Sequence, residues 1–214
     1  MRKLFVWDFH GVLEKGNEYA VVEVTNQVLE EFEADARLDI ELCRKLYGRK
    51  WHKFFRLLCP DADEETIIAM VDRGVDISRI TDVISKYIKP MDYAKEVLSK
   101  IKKAGHDNII VSNTEPDVLK RYLDAVEIKS LVMHDMGADS HKDVSGKNSK
   151  IGLLKEFLKS KDYDEIISIG DLDTDIELGK SIGATTYLFS QTGKFSEIDA
   201  HYKISDLREV LKEL

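Results

Sequence analysis

Asp8, with His10 and Gly11 just after it, and the series Asp171, Asp173 and Asp175 behind Gly170 are the residues of this 214-residue chain best suited to chemistry. Two carboxylates such as Asp8 and Asp171, brought together, would make a negatively charged, oxygen-rich hole fit for a hard cation such as Mg²⁺. Alone they would repel one another. The metal relieves that repulsion, and it also neutralises a phosphoryl group brought close to a carboxylate nucleophile. A lysine reaching the same point would add a fixed positive charge, and Ser112 or a backbone N–H would hold a phosphate oxygen. Those are the parts that phosphoryl transfer needs.

These residues lie far apart in the chain, so secondary structure must bring them together. Lys3–Trp7 (KLFVW) is a short apolar run cut at Asp8, which reads as a buried strand ending in a polar loop. Asn108–Val111 (NIIV) ends at Ser112 and Asn113, and Glu165–Ile169 (EIISI) stops at Gly170-Asp171. Two more strands are expected at Leu131–Met133 and Thr185–Phe189. Helices are expected from Asp92 to Lys103, closed by Gly105, from Pro116 to about Ala125, and from Ile151 to Leu158. Another ends near Gly183, and a C-terminal one starts at Ser205. Strands alternating with helices imply right-handed crossovers and a mainly parallel sheet covered on both faces, a three-layer, Rossmann-like α/β core. Ligands of such sheets sit outside the carboxyl ends of the strands, where Asp8, Ser112 and Asp171 would converge.

From about Tyr19 to Ile88 the apolar period is helical instead, through Val21, Val24, Val28 and Phe32 and on to Ile77, Ile80 and Ile84. Breaks at Gly48, at Cys59-Pro60-Asp61 and at Gly74 divide it into four or five helices. The chain thus reads as a core of residues 1–16 and 89–214 with a helical insertion, 17–88, joined through short hinges near Lys15-Gly16-Asn17 and Ile88-Lys89-Pro90. Hydrophobic residues make up 43% and charged ones 34%, which excludes disorder and fibrous repeats. The net charge of −8 offers no general attraction to nucleic-acid backbones or anionic membranes. Cys43 and Cys59 are too few for a disulfide scaffold and read as buried thiols in a reducing compartment. With no apolar run of membrane-spanning length, a soluble cytoplasmic protein is expected, with neither nucleic acid nor membrane as partner and nothing that sets an oligomeric state.

The motifs resemble those of the haloacid dehalogenase superfamily, in the subfamily with a helical cap inserted after the first strand. Phe5-Val6-Trp7-Asp8-Phe9-His10-Gly11-Val12-Leu13 matches the first motif, Ile110-Val111-Ser112-Asn113 the second, and Ile169-Gly170-Asp171-Leu172-Asp173-Thr174-Asp175 the fourth. The resemblance covers essentially the whole chain. It implies a Mg²⁺-dependent hydrolase of a small phosphorylated metabolite, with Asp8 as the nucleophile that becomes an aspartyl-phosphate. Ser112 would bind the phosphate, and Asp171 and Asp175 would hold or orient the metal. The third motif is a lysine before the helix that leads to the last acidic strand. Lys142, Lys147 and Lys150 compete for it, and Lys150 is chosen over Lys147 because Leu153, Leu154, Phe157 and Leu158 behind it form a helical stripe.

His10 departs from the pattern, since phosphatases of the superfamily usually carry an aspartate there, with a metal-binding carbonyl and an acid/base carboxyl. The carbonyl survives the substitution. An imidazole can exchange protons near neutral pH, although a nearby Mg²⁺ disfavours its protonated form. His10 therefore keeps two other readings open: a phosphate-binding or regulatory module without turnover, and dehalogenase-type displacement at carbon. Arg49 and Lys50, beside Trp51, His52 and Lys53, either meet an anionic or polar part of the substrate or begin a helix with solvated charges, and the second is preferred. Asn113 and Thr114 shape the loop after their strand, or Asn113 touches substrate, Asp173 reads as a solvated loop residue, and His134 and His141 as members of a surface loop.

Overall fold

Leu4, Phe5, Val6 and Trp7 are each at most 1% exposed, and this apolar run forms the middle of a six-stranded parallel sheet. The computed structural model describes residues 1–46, 49–138 and 149–214. The described residues form two compact units, one of residues 1–15, 89–138 and 149–214 and the other of residues 16–46 and 49–88.

The α/β unit starts with β1 (Lys3–Trp7) and the two-residue β2 (Glu14–Lys15), which pairs antiparallel with β3 (Lys89–Pro90). In the helical unit, α1 (Asn17–Glu31), α2 (Ile40–Leu46), α3 (Trp51–Leu58), α4 (Glu64–Ile80) and α5 (Val83–Tyr87) enclose Val24, Val28, Leu29, Phe54, Phe55 and Ile67. Asp63 starts α4 by accepting the Thr66 N–H at 2.8 Å. The α/β unit resumes with α6 (Ala94–Lys103), β4 (Asp107–Ser112), α7 (Pro116–Ala125), β5 (His134–Gly137), α8 (Ser149–Leu158), β6 (Glu165–Gly170), α9 (Asp173–Lys180), β7 (Thr185–Phe189) and β8 (Tyr202–Ile204). Strand order is β5-β4-β1-β6-β7-β8, every neighbouring pair parallel. Leu4 and Val6 of β1 and Ile109 and Val111 of β4 pack with Leu154 of α8 and Leu178 of α9 on one face. On the other, the buried Asn108 side chain accepts the Trp7 indole N–H at 3.0 Å and donates to the Leu98 carbonyl of α6 at 3.0 Å. The sheet is therefore covered on both sides, and no helix among the described residues is long and apolar enough to cross a membrane.

Several elements differ from the pattern read in the sequence. Leu131–Met133 is no strand: Lys129–Leu131 is a 3₁₀ turn, and the strand beside β4 is His134–Gly137. Asn108 donates to the Leu131 carbonyl at 3.2 Å and accepts the Met133 N–H on its own carbonyl at 2.8 Å, which sets where pairing begins. This edge strand buries only Met136, so it has no apolar run to announce it. Gly74 does not break a helix but lies inside α4, where a Cβ would stand 3.3 Å from the Trp51 ring, so the glycine serves packing. The C-terminal segment is a 3₁₀ helix, Leu207–Glu213, preceded by the short β8. Cys43 is buried and Cys59 half-buried, both free. Gly48 lies outside the described residues.

Candidate active site

The register of the sheet sets the site. Trp7 stands between Ile110 of β4 and Ile169 of β6, and the Asp8 N–H still donates to the Ile169 carbonyl at 2.9 Å. Asp8 thus leaves the sheet beside Gly170-Asp171, on adjacent strands. Beyond it the chain reverses at Gly11, whose φ of 79° suits glycine. From the other side α8 starts at Ser149, a turn earlier than its apolar stripe, and this places Lys150 in the first turn, 3% exposed. Its ammonium donates to Asp8 Oδ1 at 2.6 Å and to Asp175 Oδ1 at 2.8 Å. Asp175 folds back over the end of β6, where a Cβ on Gly170 would fall 2.1 Å from its own Cβ, and its Oδ2 accepts the Leu172 N–H at 3.2 Å.

Asp8, Asp171 and Asp175 bring carboxylate oxygens within 4.8 Å of one another. Burial is the main force on Asp8: with the Asp175 charge it outweighs Lys150 and pushes the carboxyl up to about 6. Burial likewise opposes the charge on Lys150, but Asp175 and Asp8 outweigh it and hold the ammonium protonated. Asp171 is raised well above the usual carboxylate range by burial, then by Asp8 and Asp175. Its Oδ1 is buried with no hydrogen-bond partner, whereas both oxygens of Asp175 are engaged. An orphaned carboxylate oxygen next to Asp8 fits a hard divalent cation, which would supply the missing partner and remove the repulsion that raises both groups.

Ser112, 1% exposed at the end of β4, donates to Thr114 Oγ1 at 3.1 Å and accepts the Thr114 N–H at 3.2 Å. His10 Nε2 lies 3.1 Å from the same Thr114 oxygen, and His10 Nδ1 lies 2.8 Å from Oε1 of Glu14, a fully buried carboxylate. The His10 ring stands edge-on to Phe9, 4.9 Å away, and to Tyr122, 6.0 Å away, which stack on one another.

The sequence matches the model of the haloacid dehalogenase-like hydrolases over residues 5–189. The chain belongs to that family. A comparison with curated proteins finds no match. Among solved structures it is similar to a predicted phosphatase from Clostridium acetobutylicum (19% identity, 100% of this chain and 98% of that one, TM-score 0.82). It is also similar to a haloacid dehalogenase-like hydrolase from Streptococcus pneumoniae (13%, 99% and 98%, 0.80). A third is a predicted phosphoglycolate phosphatase from Haemophilus somnus (16%, 99% and 97%, 0.75). At these identities the likeness is one of fold.

In this haloacid dehalogenase-like hydrolase, Asp8, Lys150, Asp171 and Asp175 come together at one strand end, and Ser112 and His10 are joined through Thr114. Asn113 is half-buried beside Ser112. Asp173 is exposed, but it is the first residue of α9 rather than a loop residue. Arg49 and Lys50 lead into α3 in the helical unit, where Trp51, Phe54 and Phe55 are buried core. His134 opens β5 instead of lying in a loop, its ring stacked 5.3 Å from Phe157. Lys142, Lys147 and His141 lie outside the described residues. Glu14 has no place in the sequence reading, and Thr114, expected only to shape its loop, also links Ser112 to His10. The one available signal was a carboxylate four positions after His10, which only the Gly11 turn converts into contact.

Proposed function

We propose that this hydrolase is a Mg²⁺-dependent phosphatase of small phosphorylated metabolites that works through an aspartyl-phosphate on Asp8. The observation that carries this reading is the buried, partnerless Asp171 oxygen beside an Asp8 carboxylate already oriented by Lys150. Asp8, Asp171 and the His10 carbonyl would hold the metal, with Asp175 orienting Lys150. Bound there, Mg²⁺ supplies positive charge that neutralises phosphoryl oxygens and keeps Asp8 ionised. Asp8 attacks phosphorus with the oxygen that Lys150 does not hold, and the P–O bond to the leaving oxygen breaks with its electron pair, that oxygen taking a proton from solvent to leave as the alcohol. Ser112 and Lys150 position the phosphoryl oxygens. Water then attacks the aspartyl-phosphate, the P–O bond to Asp8 breaks to return its carboxylate, and the proton of the water passes to His10, which releases it to solvent before the next turnover. In this reading the helical unit selects the substrate, with Arg49 and Lys50 as candidates for its anionic or polar part, and neither nucleic acid nor a membrane is a partner.

Phosphate release from a panel of phosphomonoesters near neutral pH tests the reading. The wild type should turn over with Mg²⁺ and stop when the metal is chelated, and Asp8→Asn should lose at least about 10³-fold in kcat, having no nucleophile. Undiminished turnover by Asp8→Asn, or none by the wild type on any ester, would overturn it.

A further inference from the structure

We infer that Glu14 is a positioning residue that holds the His10 imidazole with its hydrogen on Nδ1 and its lone pair on Nε2. This rests on the phosphatase reading for its catalytic meaning and on geometry alone for the orientation itself. Glu14 is fully buried, and its Oε1 accepts the Gly11 N–H at 3.2 Å and faces His10 Nδ1 at 2.8 Å. A bare Nδ1 lone pair at that distance would face a carboxylate oxygen, acceptor against acceptor, so the hydrogen belongs on Nδ1. Nε2 is then an acceptor. The remaining contacts agree in sense: Ser112 Oγ–H donates to Thr114 Oγ1, and the Thr114 hydroxyl donates to Nε2. One chain of hydrogen bonds, all pointing the same way, runs from the residue proposed to bind phosphate to a buried carboxylate.

The chemistry follows from that direction. When water attacks the aspartyl-phosphate, its oxygen forms the new P–O bond, the P–O bond to Asp8 breaks with its electron pair returning to the carboxylate, and the proton of the water passes to the Thr114 oxygen as that hydroxyl's own hydrogen moves to Nε2. The resulting imidazolium keeps its Nδ1–H on Glu14, whose negative charge lies against the positive ring. The stacked Phe9 and Tyr122 rings make edge contacts with the imidazole on one side. Glu14 touches no reacting atom and acts through His10.

Nitrogen NMR of the ¹⁵N-labelled, metal-free protein reads the tautomer directly, with His10→Gln used to assign the signal. The wild type should show Nδ1 protonated and Nε2 bare. Glu14→Gln, which keeps an acceptor oxygen, should show the same, whereas Glu14→Met should move the hydrogen to Nε2, the form a free imidazole favours. In Mg²⁺-supported turnover, Glu14→Met should lower kcat at least about 10-fold with kcat/KM changed less than about threefold, and acid-quenched enzyme should carry accumulated aspartyl-phosphate. Glu14→Gln should recover part of the loss. A wild-type His10 protonated on Nε2, or a Glu14→Met tautomer like the wild type, overturns the inference. So does a parallel fall in kcat and kcat/KM with no accumulated intermediate, because that would mark a merely structural residue. A wild type inactive on every ester would sink the phosphatase reading, and the NMR spectra would still decide the orientation.

Discussion

Burial and charge act on Asp8 in opposite senses, and burial dominates. Its carboxyl is pushed from 3.8 up to about 6 although Lys150 donates to it at 2.6 Å, because desolvation and the neighbouring Asp175 charge outweigh one ammonium. The sign of the stability effect follows. With a folded value above the unfolded one, the unfolded chain ionises first, so this group's contribution is full below about pH 4 and is lost as pH rises to about 6. Asp8→Asn keeps an oxygen for Lys150 and cannot ionise. In chelator, the variant should therefore match the wild type near pH 4 and exceed it above pH 6 by of order 2 kcal/mol in urea unfolding. A variant less stable than the wild type at pH 7 would show that the ion pair outweighs desolvation.

At the scale of the element, the site depends on how closely α9 returns to the end of β6. Gly170 has no side chain because Asp175 occupies that volume, its Cβ 2.1 Å from where one on Gly170 would stand. An alanine there must push the start of α9 away and loosen the Asp175–Lys150 contact at 2.8 Å. Gly170→Ala should cost about 2–3 kcal/mol in urea unfolding and lower phosphate release, an overpacking effect. Gly152, in the second turn of α8, has nothing within 4 Å of its missing Cβ, so Gly152→Ala should instead gain about 0.5–1 kcal/mol from helix propensity. Equal effects at the two positions would mean that close approach, as opposed to glycine content, does not matter at the site.

For the whole molecule, a metal that binds only the folded chain stabilises it by mass action. Magnesium at about 100 times its Kd should add roughly 2.7 kcal/mol, a rise of order 5–10 °C in Tm for a chain of this size. Asp171→Asn should lose most of that rise, since it removes the charge of the carboxylate whose Oδ1 has no partner. Thermal unfolding with Mg²⁺ and with chelator, on both proteins at pH 7, checks it, and an equal rise in the two would place the metal elsewhere.

Local signals determined what was legible in advance. The apolar run of β1 and the strand Thr185–Phe189 appear with the bounds read in the sequence, as does the helix Pro116–Ala125, because burial and an N-terminal proline act within a few residues. The parallel α/β core followed from their alternation, and the strand-end positions of Asp8, Ser112 and Asp171 from where each run stops. Tertiary structure decided the rest. The polar edge strand His134–Gly137 exists because Asn108 and β4 pair with its approach, and Gly74 stays helical because Trp51 packs on it. The meeting of Lys150 with Asp8, 142 positions away, depends on sheet register and on where α8 begins. Glu14 faces His10 because Gly11 turns the chain with a positive φ. Periodicity records which face of an element is apolar, but contact between polar side chains depends on register, turn geometry and reach, and these are set only when the elements pack.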